Sequence, residues 1–250
     1  MSRKKHKPIE NHKQQDEAVY NYANERDNKK LKAKTEGQQK YIDTINKNTI
    51  TLCVGPPGSG KSYCSVGIAI EALRRGQVDK IVLSRPILEA CGEEIGAIPG
   101  SVEEKVGPYL RPLLEAVQAF TLKGEYALWK AEGKIEIIPF AYMRGLTLSN
   151  TAIIIDEANN LTHDQMKLVL TRIGLHSYCV IQGDPKQSDL PYNKQGALID
   201  YMEILDGLPF VGTCELTKQD IVRSPFIASI LDRIEEWEES HNKTPKGYIQ

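Results

Sequence analysis

The sequence contains no long apolar run and almost no net charge. No stretch approaches the roughly 20 consecutive apolar residues that a membrane-spanning helix needs. The opening residues, MSRKKHKPIENHKQQ, also lack the apolar core of a signal peptide. The 32 basic and 33 acidic residues nearly cancel, so the overall charge does not single out a nucleic acid or an acidic substrate. We therefore expect a cytoplasmic protein that has no membrane partner.

Cysteine is too scattered in this sequence to build a disulfide framework or a zinc site. The five cysteines form no C-x-x-C pair, and most of them lie inside apolar runs. The five histidines show neither zinc-ligand spacing nor an H-E-x-x-H motif. We expect no structural metal and reduced thiols that pack as small apolar side chains. These cysteines are Cys53, Cys64, Cys91, Cys179 and Cys214.

The composition changes sharply near residue 35. Residues 1–35 are rich in Lys, Asn, Gln and Glu and contain few apolar side chains. Such a segment buries too little surface to offset the entropy lost on ordering. The sequence therefore predicts a polar, mobile N-terminal arm over residues 1–35 and one domain over residues 36–250, since a chain of 250 residues has room for one sizeable core.

Short apolar strands alternate with helix-period segments throughout the predicted domain. This alternation predicts an α/β fold in which helices cover both faces of a mostly parallel sheet. Helix starts are indicated by Ser101 with Glu104, by Thr162 with Gln165 and by Ser224-Pro225. The strands are expected at residues 49–54, 80–84, 135–138, 152–156, 178–182 and 211–215.

The first predicted strand runs into a glycine-rich loop that a helix-compatible segment follows. The loop reads Gly55-Pro56-Pro57-Gly58-Ser59-Gly60-Lys61-Ser62, which matches the phosphate-binding pattern G-x-x-x-x-G-K-S in its required context. The two prolines lack an N–H but stand at the front of the loop, so the later amides stay free for phosphate. Lys61 is expected to neutralise phosphate oxygens of ATP, and the Ser62 hydroxyl to bind Mg²⁺.

Two carboxylates follow the most apolar predicted strand. Asp156 and Glu157 come directly after three isoleucines, which places them at the carboxyl edge of a buried strand. We expect Asp156 to hold Mg²⁺ and Glu157 to polarise the water that attacks ATP. The next strand ends in a polar loop that contains Gln187, which is placed to sense the γ-phosphate; as G-D-P also suits an ordinary turn, both interpretations of that loop stay open.

Several longer motifs resemble the PhoH family, a group of ATPases related to the first RecA-like lobe of superfamily 1 helicases. The resemblance covers residues 35–250 and favours a bacterial or phage protein. It rests on Gly37-Gln38-Gln39-Lys40-Tyr41, GPPGSGKS, Ser84-Arg85-Pro86, IGAIPGSVEEKVGPYLRPL, PFAYMRGLTL, IIIDEANN, QGDPKQSDLP and Asp220-Ile221-Val222-Arg223-Ser224-Pro225.

The resemblance implies further roles for individual residues. By it, Gln38 reads the adenine edge, and Gln187 couples the γ-phosphate to conformational change. Arg223 faces the phosphates as a sensor or an arginine finger. Arg85 and Arg144 face a polynucleotide or a neighbouring subunit.

Unwinding of a polynucleotide requires two surfaces that move relative to each other, and this chain offers one lobe. We therefore expect a homo-oligomer, a hexameric ring by the resemblance, in which an arginine of one subunit completes its neighbour's site. The leading hypothesis is an ATPase motor that acts on RNA or single-stranded DNA. Candidate stacking residues for bases are Tyr109, Tyr142 and Tyr192, although each also suits packing.

Two alternatives remain at this point. One is a ring in which ATP orders a surface for protein partners and hydrolysis merely resets it. The other is a small-molecule kinase, which the water-activating pair and the lack of an arginine-rich lid disfavour.

Overall fold

The computed structural model describes residues 29–86, 102–190 and 196–222, together with positions 230, 233, 234, 236, 237 and 240. Most of the predicted arm, residues 1–28, lies outside these ranges. So do Cys91, Ser101, Tyr192, Arg223 and the Ser224-Pro225 helix start. In the described part of the chain, no helix combines the length and the apolar character that a membrane span requires.

A single sheet of six strands organises the described residues. The strands are β1 (Ile50–Val54), β2 (Lys80–Arg85), β3 (Ile135–Pro139), β4 (Thr151–Ile155), β5 (Tyr178–Gly183) and β6 (Val211–Glu215). Their order is β3-β2-β4-β5-β1-β6, and each neighbouring pair is parallel. The predicted α/β class and mostly parallel sheet are confirmed, and every predicted strand overlaps an observed one to within about a residue at each end.

Helices cover both faces of this sheet. They are α1 (Glu36–Lys47), α2 (Lys61–Arg74), α3 (Val102–Phe120), α4 (Glu125–Ala131), α5 (His163–Leu170) and α6 (Leu198–Ile204). The predicted start at Thr162 is a complete capping box with Gln165 at the head of α5. Because successive strand residues point to opposite faces, Ile154 packs in a core with α1, α2 and α3, whereas Ile153 packs in a second core with α5 and α6.

This two-sided arrangement creates a crevice at the carboxyl edge of the sheet. The loop after β1 leads to α2 on one face, and the loop after β4 leads towards α5 on the other. The strand β5 lies between β1 and β4. Loops that part to opposite faces leave a ligand-sized gap between them in open parallel sheets. The predicted phosphate loop and the predicted carboxylates both border this gap.

Helix α1 is fixed at its start by two parts of the chain. Its cap, Thr35, accepts a hydrogen bond from the Gln38 amide and donates one from Oγ1 to Oδ1 of Asp220 at 2.5 Å. Asp220 ends a short 3-10 turn after β6 and forms a capping box with Thr217. The segment just before α1 also lies against the domain, since the Leu31 amide donates to Glu71 on α2. Residues 29–35, assigned to the arm by composition, therefore contact the domain.

Candidate active site

The phosphate loop connects β1 to α2 with the backbone that its glycines require. Gly58 and Gly60 have φ values of 80° and 89°, a conformation that other residues adopt only with strain. Gly60 is also the N-cap of α2, and a Cβ there would lie 2.5 Å from Nε2 of Gln38. The loop amides thus end at a helix N-terminus, where the partial positive charge favours phosphate.

Lys61 lies on the first turn of α2 with its ammonium group over the loop. Its Nζ donates to the carbonyl oxygens of Gly55 at 2.6 Å and Pro56 at 3.0 Å. Both acceptors are backbone atoms of the same loop, so the cation is held at the site where phosphates are expected. A charged donor in this position suits the β- and γ-phosphate oxygens.

Ser62 and Asp156 meet across the crevice. The Ser62 hydroxyl lies 3.1 Å from both carboxylate oxygens of Asp156, which follows β4 and is 6% exposed. A hydroxyl and a carboxylate are hard oxygen donors of the kind that Mg²⁺ selects, and this ion is commonly held by one or two protein groups plus substrate phosphates. The pair therefore fits the metal predicted for it. Among the described residues no cluster of three or more His, Cys, Asp or Glu side chains could hold a metal ion.

Glu157 lies next to Asp156 with an unusual backbone and a raised pKa. Its φ of 54° places it in the left-handed region, where a non-glycine residue is strained. Burial, and then the Asp156 charge, raise the pKa of the Glu157 carboxyl, while Arg85 and Lys61 act in the opposite direction. The guanidinium of Arg85, at the end of β2, donates to Oε1 of Glu157 at 3.0 Å. Their side chains are 26% and 30% exposed, so this pair faces the solvent-accessible part of the crevice.

These groups line one cleft of about 380 Å³. A void of this size falls within the range of small-ligand sites. It is lined by Pro57, Gly58, Gly60, Lys61, Ser62, Tyr63, Arg85, Pro112, Asp156, Glu157, Gly183, Asp184 and Gln187. The structure therefore brings together the predicted phosphate loop, the predicted metal ligands, Glu157, Gln187 and Arg85.

Gln38 lies beside the cleft, and both ends of its side-chain amide have partners. Its Nε2 donates to the Ser59 carbonyl at 3.0 Å, and its Oε1 accepts from the Lys34 amide at 2.9 Å. The side chain therefore supports the phosphate loop directly. Its expected role at the adenine edge stays a prediction.

Gln187 belongs to a loop that two consecutive asparagines hold in place. Nδ2 of Asn159 donates to the Gln187 carbonyl at 2.7 Å, and its Oδ1 accepts from the Asp184 amide at 3.1 Å. Oδ1 of Asn160 accepts from the Asp189 amide at 2.9 Å. The loop backbone is thus fixed, while the Gln187 side chain stays exposed at the cleft. The two asparagines follow Asp156-Glu157 in the sequence, but no pattern there indicated this role.

The remaining predicted residues lie elsewhere. Arg144 is exposed just after the 3-10 turn Phe140–Met143 and does not line the cleft. Tyr142, in that turn, is exposed, whereas Tyr109 on α3 is half-buried. Arg223 and Tyr192 lie outside the described residues, so their roles stay predictions.

Sequence reasoning missed two buried residues that contact the predicted metal ligands or support that contact. Gln182, near the end of β5, donates from Nε2 to Oδ1 of Asp156 at 2.9 Å and to Oγ of Ser62 at 3.0 Å. Tyr41 on α1 donates its hydroxyl to Oε1 of Gln182 at 2.7 Å. Both residues stand in motifs that carry the resemblance, Tyr41 in the first and Gln182 at the start of QGDPKQSDLP. Neither motif indicated that the two side chains meet or that Gln182 contacts Ser62 and Asp156.

A parallel sheet with a phosphate loop after one strand and an Asp-Glu pair after a strand two places away defines the P-loop ATPase-like fold. Within that class, the PhoH-like protein family model matches residues 30–235, and the chain belongs to that family. It is 40% identical over 215 residues to a PhoH-like protein of Synechocystis, and the alignment covers 86% of this chain and 64% of the relative. A Bacillus subtilis PhoH-like protein is 42% identical over 204 residues, covering 82% and 64%.

Protein PhoH of Escherichia coli is 38% identical over 210 residues, which cover 83% of this chain and 59% of that protein. The chain thus spans about three fifths of the length of these relatives. Among solved structures, the large terminase of a thermophilic bacteriophage aligns with a TM-score of 0.52 at 12% identity, covering 80% of this chain and 50% of the terminase. An ADP complex of the same terminase gives 0.50 at 11% identity, covering 80% and 50%. At such identity the likeness concerns the fold alone.

Proposed function

We propose that this protein hydrolyses Mg²⁺-ATP and acts as an oligomeric motor on RNA or single-stranded DNA. The observation that carries the hydrolysis is the meeting of Lys61, Ser62, Asp156 and Glu157 in one cleft. Phosphoryl transfer to water requires phosphate binding, a metal ion and activation of the water, and these four groups are suited to those tasks. Membership of the PhoH-like family and a fold shared with a terminase that was solved with ADP support the nucleotide.

The residues divide the reaction among them. The amides of the phosphate loop and the Lys61 ammonium would bind and orient the phosphates, while Ser62 and Asp156 would hold the metal. Mg²⁺ would neutralise charge that develops on the phosphate oxygens. Glu157 would accept a hydrogen bond from the attacking water and draw off its proton, a task that its raised pKa favours, because a base works best when its pKa approaches the working pH.

The polynucleotide is proposed from the family resemblance together with the position of Arg85. Arg85 lines the cleft, and a quarter of its side chain is exposed, so a backbone phosphate can reach its guanidinium. A motor also needs a second moving surface, which a homo-oligomeric ring would supply. Arg144 and Arg223 are candidates to complete a neighbour's site. Mass measurement that finds only monomer, with and without ATP, would overturn the ring.

The test is phosphate release from ATP, with and without single-stranded RNA and DNA, for the parent and for Glu157→Gln. The variant should bind Mg²⁺-ATP but lose about 10²- to 10⁴-fold of turnover, the usual contribution of a positioned base. Glu132→Gln, an exposed glutamate at the end of α4, is the matched control and should behave as the parent.

The outcomes separate the alternatives. Polynucleotide stimulation that disappears in Glu157→Gln supports the motor. Turnover that is lost in the variant but indifferent to any polynucleotide keeps the ATPase and favours a ring that binds protein partners. Turnover that Glu157→Gln leaves intact would refute the assigned chemistry.

A further inference from the structure

Gln182 is a fully buried polar residue of the sheet. It has no exposed surface and stands on β5, between the strand that carries the phosphate loop and the strand that leads to Asp156. The residues before it on β5, Cys179 to Ile181, are buried and apolar. Burying an amide among them costs free energy unless its hydrogen bonds are made. The hydrogen bonds of its side chain all go to side chains at or next to the proposed metal site.

The chemistry of its partners fixes the orientation of the Gln182 amide. A carboxylate only accepts hydrogen bonds, so the nitrogen of the amide must face Asp156, 2.9 Å away. The oxygen must then face Tyr41, whose hydroxyl acts as the donor at 2.7 Å. Burial raises the pKa of the Tyr41 phenol well above its ordinary value, so this donor keeps its proton. An amide that could otherwise rotate by a half-turn is thereby held in one orientation.

We infer that Gln182 and Tyr41 are positioning residues that hold Ser62 and Asp156 in the geometry of the magnesium site. Nε2 of Gln182 reaches both ligands, at 3.0 Å and 2.9 Å, and so sets the distance between them. Tyr41, itself fully buried, fixes the amide from the opposite end. Groups that orient metal ligands in this way commonly contribute about 10- to 100-fold to metal affinity.

The pair also connects α1 to the site through a second contact on the same face of that helix. Gln38 and Tyr41 are three residues apart and therefore lie on one side of α1. Gln38 supports the phosphate loop at Ser59, whereas Tyr41 supports the metal ligands through Gln182. Helix α1 thus supports both the phosphate loop and the proposed metal site. Tyr41 itself is not a proposed metal ligand.

This inference rests on the proposed function, and its test is the magnesium requirement of nucleotide binding in the full chain. Fluorescent ADP is titrated with protein at a series of Mg²⁺ concentrations and also without metal. Tyr41→Phe removes one hydroxyl, and Gln182→Met replaces the amide by an apolar chain of similar length. In both variants, the Mg²⁺ concentration that gives half of the maximal increase in ADP affinity should rise by about 10-fold or more. The ADP affinity measured without metal should stay at the parent value.

The sheet supplies a matched control. Tyr178, on the same strand as Gln182, has a buried hydroxyl without a hydrogen-bond partner among the described residues. Tyr178→Phe should leave the magnesium requirement unchanged, which separates loss of a positioning contact from loss of any buried hydroxyl. If Gln182→Met does not fold, Tyr41→Phe decides the question by itself.

The results distinguish two kinds of failure. A parent that needs Mg²⁺ for tight nucleotide binding, with Tyr41→Phe and Gln182→Met needing no more than the parent, would overturn the positioning role alone. A parent whose ADP binding is indifferent to Mg²⁺ would overturn this inference. If phosphate release from ATP were also indifferent to Mg²⁺, the proposed metal-dependent hydrolysis would be overturned as well.

Discussion

The two sides of the cleft are built in different ways. On the side proposed to bind Mg²⁺, hydrogen bonds of 2.9 to 3.1 Å link Ser62 and Asp156 to each other and to the buried Gln182, which in turn accepts a hydrogen bond of 2.7 Å from Tyr41. On the side proposed to activate water, the Glu157 side chain forms one partly exposed ion pair with Arg85, and its backbone is strained. Buried networks make a group rigid, whereas partly exposed ion pairs are weak and exchangeable. We therefore expect the site to hold the groups proposed to bind Mg²⁺ in fixed positions and to leave the proposed base free to adjust.

Replacing Asp156 by Asn should produce the largest effect and test this division. The substitution would remove the negative charge of the proposed metal ligand. If the remaining oxygen still accepts from Nε2 of Gln182, the new NH₂ group replaces Oδ2, the carboxylate oxygen 3.1 Å from the Ser62 hydroxyl. We expect the loss of Mg²⁺-dependent nucleotide affinity to exceed the roughly 10- to 100-fold that an outer-shell partner costs. Glu157→Gln, measured by the same fluorescent ADP titration, should retain parent affinity. Equal loss in both variants would contradict the division between binding and reacting sides.

Replacing Arg85 by Gln should change the pH dependence of hydrolysis. Arg85 lowers the pKa of Glu157 against the larger raising effect of burial. Without that cation the pKa rises further, and a base is inactive when protonated. The acid limb of the turnover profile should therefore move to higher pH, so that turnover falls more towards the acid end of the profile than on its alkaline side.

Arg85→Lys keeps the positive charge and is the control for the shape of this profile. Its acid limb should stay near that of the parent. An unchanged limb in Arg85→Gln would mean that Glu157 does not set the acid side of the profile.

The backbone at Glu157 predicts a smaller effect, on stability. Glycine adopts a φ of 54° without strain, whereas alanine does not. The free energy of unfolding of Glu157→Gly should therefore be about 1 kcal/mol higher than that of Glu157→Ala. Both variants lack the carboxylate and should be equally inactive. The difference between their free energies of unfolding, measured by urea denaturation, therefore reports the backbone strain at position 157. A more stable alanine variant would indicate that Glu157 is not held in this conformation in solution.

Most of the fold could be predicted from the sequence, because each strand is an apolar run that ends in a polar or glycine-rich loop. The positions of the phosphate loop, Asp156 and Glu157 at one edge of the sheet could be predicted for the same reason, since each follows such a run. The role of Gln182 could not be predicted, because it depends on β5 lying between β1 and β4. That strand order is set by the crossover connections between the strands. Tyr41 and Gln182 are 141 positions apart, beyond the reach of any local pattern.

Arg85 illustrates a different limit. The resemblance associated it with a polynucleotide or a neighbouring subunit, and the sequence offered no means of pairing it with Glu157, 72 positions away. The two meet because β2 and β4 are neighbours that end at the same edge. The left-handed backbone of Glu157 was equally hidden, because no glycine or asparagine marks that position.

The anchoring of α1 has a consequence for the order in which the domain is assembled. This helix is synthesised before any strand of the sheet, yet its partners Gln182 and Asp220 come 141 and 185 positions later than the residues they meet. Contacts of such long range are the slowest to form. A chain still attached to the ribosome after β4 would already contain the phosphate loop and both carboxylates. Such a chain could already form the contact between Gln38 and Ser59, but without β5 and the turn after β6 it would lack the contacts of α1 with Gln182 and Asp220. We therefore expect full ligand affinity only when synthesis of the domain is nearly complete.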